Sequence, residues 1–306
     1  MYKRLLVPLD GSEVAEKALP YAVKLARKLS LEIILLHVCA TGPSVSFSMC
    51  KAYIEQLAGT AGAGGRQGSS KGAAPVAIKG VAIEGRDVPS AILEFADKRQ
   101  ADLILLSRCG QSGKGRWSTG SVAHKVLTAS RVPVLVVHPQ AAGGAPGAGW
   151  PRTVLVLLDG SKLSETVLSH VESIFSQNAD GGTMTLFEVC EPPDLLSDYP
   201  ESAMALPWDE HVKRARASSE KVCSTRLVEI QSRLQARGRK VAVEVALGDN
   251  VIDEIVKYIE GHDFDLVAMT THGRSGISQW PYGHVADRIV QVSSTPILLV
   301  RPSKAA

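Results

Sequence analysis

Apolar positions along the chain fall into short runs of Val, Ile and Leu, separated by longer stretches where they recur every three or four residues. Residues 5–9, 32–38, 76–82, 103–106 and 132–137 carry the runs, with no clean alternation of polar side chains. Such runs read as strands buried on both faces. The stretches between them read as amphipathic helices. Ser12 is positioned to cap one, with Glu13 and Glu16 in its first turn and Val14, Ala18, Tyr21, Ala22 and Leu25 forming its apolar stripe. A second starts at Asp87 or Ser90 and turns Ile92, Phe95 and Ala96 inward, and a third starts at Ser121. A β-α-β-α series predicts an α/β fold with a parallel sheet and helices on both faces.

The pattern then repeats. Residues 3–12 (KRLLVPLDGS) return at 152–161 as RTVLVLLDGS; 34–39 (ILLHVC) are echoed at 185–190 (TLFEVC), and 101–106 (ADLILL) at 264–269 (FDLVAM). The chain is therefore expected to be one domain written twice, over residues 1–139 and 152–306, joined by an Ala/Gly/Pro linker at 140–151. The second copy carries its extra residues between its second and third strands. There, residues 208–237 read as a long helix with Val212, Ser219, Val222, Ile230 and Leu234 on one face. The first copy has a Gly/Ala-rich stretch at 58–75 in that place, which predicts a short helix over 49–57 followed by a mobile loop.

Composition narrows the function. With 34 basic against 31 acidic residues, the net charge is +3, too balanced for a protein that coats nucleic acid or a membrane surface. Aromatic residues make up 5%, which argues against a stacking platform for single strands. No apolar run approaches a membrane span. The first ten residues read as a strand rather than a signal peptide, and five cysteines without a C-x-x-C pair suggest a reduced, cytoplasmic compartment.

Candidate chemistry gathers where strands of such a sheet end, the usual place for a ligand. Asp10 follows the first strand and Asp159 its repeat, each followed by Gly-Ser. A carboxylate there can accept hydrogen bonds from a ribose or a base, or can simply serve as a helix cap. Val38, at the end of strand two, offers backbone groups to the edge of an adenine, or is a plain strand end. After strand four comes a glycine-rich stretch, Ser107 to Ser121, with Gly110, Gly113, Gly115 and Gly120 and the cations Lys114 and Arg116. Its backbone can approach a phosphate and Gly120-Ser121 opens a helix, unless it is only a flexible surface loop. No Walker-type G-x-x-x-x-G-K-[ST], no G-x-G-x-x-G after strand one, no G-x-S-x-G and no H-E-x-x-H occurs. His272 and His284, in the second glycine loop, read as polar loop residues rather than a metal pair.

With these residues in view, the chain resembles the universal stress protein family in its tandem form. The resemblance implies two five-stranded, parallel, Rossmann-like domains of the adenine nucleotide alpha hydrolase-like kind, paired through antiparallel last strands (132–137 and 295–300) as a pseudo-twofold dimer within one chain. The family's ATP-binding members carry Gly, two residues, Gly, nine residues, then Gly followed by Ser or Thr. Here the first copy has Ser107, Gly110 and Gly120-Ser121; the second has Thr270, Gly273 and Gly283-His284. The resemblance implies ATP, with Mg²⁺, bound by Pro8, Asp10, Val38, Ser107, Gly110, Gln111, Ser112, Gly120, Ser121 and Val122. The corresponding second-copy positions are Asp159, Val189, Thr270, Gly273, Gly283 and His284, where an imidazole replaces the small hydroxyl. The expectation is an ATP-binding stress-response regulator with a degenerate, structural second domain. A slow ATPase and a ligand-free interaction module are the alternatives, and an unknown protein partner or a homodimer is expected with either.

Overall fold

The computed structural model describes residues 2–40, 46–67, 76–110, 120–138, 151–175, 182–191, 207–272 and 283–302. In the first half, strands β1 (Arg4–Pro8), β2 (Glu32–Cys39), β3 (Ile78–Glu84), β4 (Leu103–Ser107) and β5 (Val134–Val137) alternate with helices α1 (Glu13–Glu16), α2 (Leu19–Leu29), α3 (Phe47–Gln67), α4 (Val88–Lys98) and α5 (Ser121–Ala129). The second half repeats this with β6 (Thr153–Leu158), α6 (Thr166–Phe175), β7 (Thr183–Cys190), α7 (Trp208–Gln235), β8 (Lys240–Leu247), α8 (Val251–Glu260), β9 (Leu266–Thr270), α9 (His284–Val292) and β10 (Ile297–Val300). The ten strands form one sheet in the order β3-β2-β1-β4-β5-β10-β9-β6-β7-β8. Pairing is parallel within each half. The halves join where β5 and β10 run antiparallel, with Leu298 opposite Leu135. The last strands thus cover each other's edges within the chain, as the resemblance implied.

The unbroken apolar runs have their expected cause. Leu5 and Val7 enter one core layer and Leu6 the other, because successive side chains leave opposite faces of a strand. Both layers continue across the β5–β10 junction: Leu135 and Leu298 lie in the first, Val136 and Leu299 in the second. The outermost strands β3 and β8 are only half-covered, and apart from Val241 their residues are intermediate or exposed.

Local signals explain most element boundaries. Ser12 caps α1, its hydroxyl accepting from Ala15 N–H at 3.1 Å. The helix breaks after Glu16 because Pro20 has no N–H to give the Glu16 carbonyl and its ring would crowd that oxygen. Asp87 rather than Ser90 is the residue before α4, and Ile92, Phe95 and Ala96 are buried as expected.

Three expectations need correction. The helix α3 runs to Gln67, well into the stretch read as a mobile loop, while residues 68–75 lie outside the described residues. Gly59 and Gly62 weaken such a helix, but its first turns are clamped on β3, where a side chain at Gly80 would come within 2.4 Å of the Ile54 carbonyl oxygen; tertiary packing overrides propensity. In α7 the buried face is Cys223, Leu227, Ile230 and Leu234, and Val222 is 59% exposed. Ile230 and Leu234 are buried and Val212 and Ser219 half-buried as expected, so only Val222 was misplaced; the small apolar Cys223 next to it fills that position. The five cysteines are also not all free thiols: Cys39 and Cys50 form a disulfide. Among the described residues no helix is long and apolar enough to cross a membrane. The expected linker lies, apart from Pro151, outside the described residues.

Candidate functional site

Strand order in the first half turns at β1, whose neighbours are β2 on one side and β4 on the other. Connections leave that point in opposite directions, so a crevice opens beyond the carboxyl ends of β1 and β4. The crevice holds about 730 Å³, within the range of small-ligand sites. Every described first-half residue singled out from the sequence lines it: Pro8, Asp10, Val38, Ser107, Gly110, Gly120, Ser121 and Val122. Gln111 and Ser112 lie outside the described residues.

The floor is the turn after β1. Gly11, at φ 84°, supplies a left-handed turn that a side chain would strain. Asp10 Oδ1 accepts from Ser12 N–H at 3.0 Å and from the Ser12 hydroxyl at 2.6 Å, which fixes the carboxylate's orientation. Its other oxygen faces the glycine loop: a Cβ on Gly110 would sit 2.1 Å from Asp10 Oδ2. A side chain at 110 would therefore push the Asp10 carboxylate from its place. Val38 lies two residues beyond the last β1–β2 pair, Pro8 with Leu36. Leu36 gives its carbonyl to Leu9 N–H on the β1 side, and the ladder's alternation turns the N–H and C=O of Val38 the same way, past the end of β1.

The far wall is the start of α5. Gly120 precedes it with no side-chain cap and no acidic residue in the first turn, so the helix presents N–H groups and the positive end of its dipole to the crevice. Gly120 N–H itself is held by the Arg108 carbonyl at 2.9 Å.

Several lining residues were not singled out from the sequence. His37 and Tyr53 meet edge to face across the near wall. His37 Nδ1 lies 2.8 Å from the Leu9 carbonyl, and Tyr53 gives its hydroxyl to Glu16 at 2.8 Å. Burial and the Glu16 carboxylate push the Tyr53 phenol up, so it stays a neutral donor. Cys50 and Met49 line the same wall, held against the end of β2 by the Cys39–Cys50 bond. Arg108 is only 2% exposed, and its guanidinium donates to the last carbonyls of α9 in the other half, Gln291 at 2.5 Å and Val290 at 3.3 Å. A cation suits a helix C-terminus, and this one ties the glycine-rich stretch to the second half.

The second half keeps the turn but fills the space beside it. Asp159 Oδ1 accepts from Ser161 N–H at 3.0 Å, and Gly160 has φ 80°. Where the first half has His37 and Tyr53, two residues before Cys39 and three after Cys50, the second has Glu188 and Arg226, placed the same way about Cys190 and Cys223. Glu188 is fully buried and ion-paired to Arg226. The Arg226 guanidinium lies so close over Gly160 that a Cβ there would sit 2.3 Å from its carbon. Val189 and Thr270 are buried, Gly283 leads into α9 with its N–H on the Thr271 carbonyl, and His284 is exposed on the first turn. Asp287 places a negative charge in that turn, and Gly273 lies outside the described residues.

Fold and crevice together define a tandem pair of doubly wound α/β units, each with its Asp-Gly-Ser turn at a switch in strand order. Residues 1–138 and again 151–301 match the model of the universal stress protein family, and the chain belongs to that family. A universal stress protein of Methanocaldococcus jannaschii is 33% identical over 142 residues, covering 45% of this chain and 82% of the relative. One from Mycolicibacterium smegmatis is 26% identical over 306 residues and covers 97% of both chains, so it shares the tandem form. The crystal structure of a universal stress protein from Archaeoglobus fulgidus covers 98% of both chains with a TM-score of 0.61 at 21% identity, and shows the same fold.

Proposed function

We propose that the first half binds an adenine nucleotide, ATP, and that the chain acts as a nucleotide-dependent regulator in a stress response, with the second half in a structural role. The observation that carries this reading is the crevice itself. Folding brings the fixed Asp10 carboxylate, the strand end at Val38 and the uncapped start of α5 around one space of nucleotide size. Asp10 suits a ribose hydroxyl, the backbone of Val38 the edge of the base, and the N–H groups from Ser121 onward the phosphates. Room for the phosphates is read at Gly120, where among the described residues a Cβ would meet nothing closer than 3.5 Å. Mg²⁺ is read as arriving on the phosphate oxygens, because it keeps several waters and binds mainly through substrate phosphates.

The second half is read as structural because Arg226 takes up the space over its Asp-Gly-Ser turn. The chain divides on this reading into domains at 1–139 and 152–306, and it works in the cytoplasm with a protein partner. A homodimer would need another surface than the last strands, since β5 and β10 already cover each other. Calorimetric titration of nucleotide-stripped protein with Mg-ATP tests the proposal. One site per chain is expected. No binding would remove the nucleotide reading, and two sites would remove the asymmetry.

A further inference from the structure

The two halves share a feature that nucleotide binding does not use. Each places one cysteine at the last residue of its second strand and another in the helix that follows: Cys39 with Cys50, and Cys190 with Cys223. The first pair is a disulfide across 11 residues of chain. The second pair is separated by 33 residues, yet its sulfurs lie 2.7 Å apart, well inside the ordinary contact of two unbonded sulfur atoms and not far from the ~2.05 Å of a disulfide.

We propose that Cys190 and Cys223 are a second dithiol–disulfide couple, oxidised by a small peroxide and reopened by a small dithiol. Both side chains are buried, at 4% exposure each, but they form part of the wall of an open cavity of about 250 Å³ beside Ser219 and Arg226. That cavity is large enough to admit hydrogen peroxide. Burial, with Cys190 and the Glu188 carboxylate close by, pushes the Cys223 thiol up to about 12. Whichever of the two sulfurs ionises first is the one that reacts. Its thiolate attacks one peroxide oxygen, the O–O bond breaks, and a sulfenic acid and hydroxide form. The partner sulfur then attacks the sulfenic sulfur. The S–S bond forms, the S–O bond breaks, and the departing hydroxyl takes the partner thiol's proton; the hydroxide of the first step takes the proton that the first thiol lost on ionising, so that two thiols and one peroxide become one disulfide and two waters. The product joins β7 to α7 as Cys39–Cys50 joins β2 to α3.

The test uses the full chain, reduced with dithiothreitol and then exposed to hydrogen peroxide, with free thiols alkylated and disulfide-linked peptides mapped by mass spectrometry. The expected result is a peptide pair linked through Cys190 and Cys223 in the oxidised sample, two hydrogen masses lighter than the separate thiols. Both cysteines should be alkylated after dithiothreitol treatment of the native protein, and Cys109 alkylated in both samples. In Cys190→Ser the linked pair should vanish while Cys39–Cys50 still forms, which also reports that the variant is folded. Cys190 and Cys223 both alkylated after peroxide would overturn the proposal. So would either one linked to Cys109, or a bond that native-state dithiothreitol does not open.

Discussion

Gly120→Val separates what the fold needs at the glycine loop from what a ligand needs. Gly120 has φ −58° and ψ 146°, a conformation open to any residue. A Cβ there would lie 3.5 Å from the Arg108 carbonyl oxygen, an ordinary contact, whereas one on Gly110 would collide with Asp10. Replacing glycine before a helix by an apolar residue costs about 0.5–1 kcal/mol. Restricting the unfolded chain at a compatible position returns about 0.4–1 kcal/mol. The two nearly cancel, so Gly120→Val should unfold in urea within about 1 kcal/mol of the parent. Binding should respond differently. The valine methyls would stand over the first N–H groups of α5. A hydrogen bond from such a group to a charged phosphate oxygen is worth about 1.5–3 kcal/mol, so losing one weakens binding roughly 10- to 100-fold. Calorimetry with Mg-ATP reads this against the urea midpoint. Unchanged affinity in a folded variant would refute the placing of phosphates at α5, and a collapse in stability would refute the claim that the fold has room at this position.

Other outcomes follow from the same contacts. Arg226→Met leaves the buried Glu188 carboxylate uncompensated and should cost about 3 kcal/mol by urea denaturation; the pair Glu188→His with Arg226→Tyr, copying the first half, should recover most of it, and an equally unstable double variant would contradict the equivalence. Arg108→Ala strips a buried cation from the α9 carbonyls and should lower stability by about 2 kcal/mol; a urea midpoint equal to the parent's would show that this tether contributes nothing. Burial and the neighbouring Arg108 charge lower His138 from 6.5 to about 4, so between those values the unfolded chain binds a proton that the folded chain does not. Stability should therefore fall as pH drops through that window and level below it; a His138→Gln variant should show a shallower fall, and an identical pH profile would remove His138 as its source.

Much of the site was legible because its signals are local. Asp10-Gly11-Ser12 and Gly120-Ser121 announce a turn and a helix start from adjacent residues, and the repeat at 159–161 marked the first as part of a unit. The residues that went unnoticed act across distance. Tyr53 joins the crevice because α3 packs beside β2, and Arg108 matters because α9 of the other half ends beside it. The cysteine pairs left a readable trace: Cys39 and Cys190 close two matching strands, and the helix after each carries one more cysteine. Val222 was assigned to the buried face of α7 by passing over Cys223 as an apolar position, and α3 was cut short by treating glycine content as decisive where packing on β3 was stronger.

By itself, the sequence determined the α/β class, the duplication and the strand ends at which chemistry gathers, since periodicity, turn residues and repeats are properties of neighbouring positions. Tertiary structure alone decided which side chains share a space. It joined β5 to β10 into one ten-stranded sheet and closed Cys39 onto Cys50. It also set Arg226 over the second turn while leaving the first crevice open. The Asp-Gly-Ser turns of the two halves are alike in sequence and in hydrogen bonding. They differ in what a helix distant in the chain lays against them, and that depends on packing rather than on any local pattern.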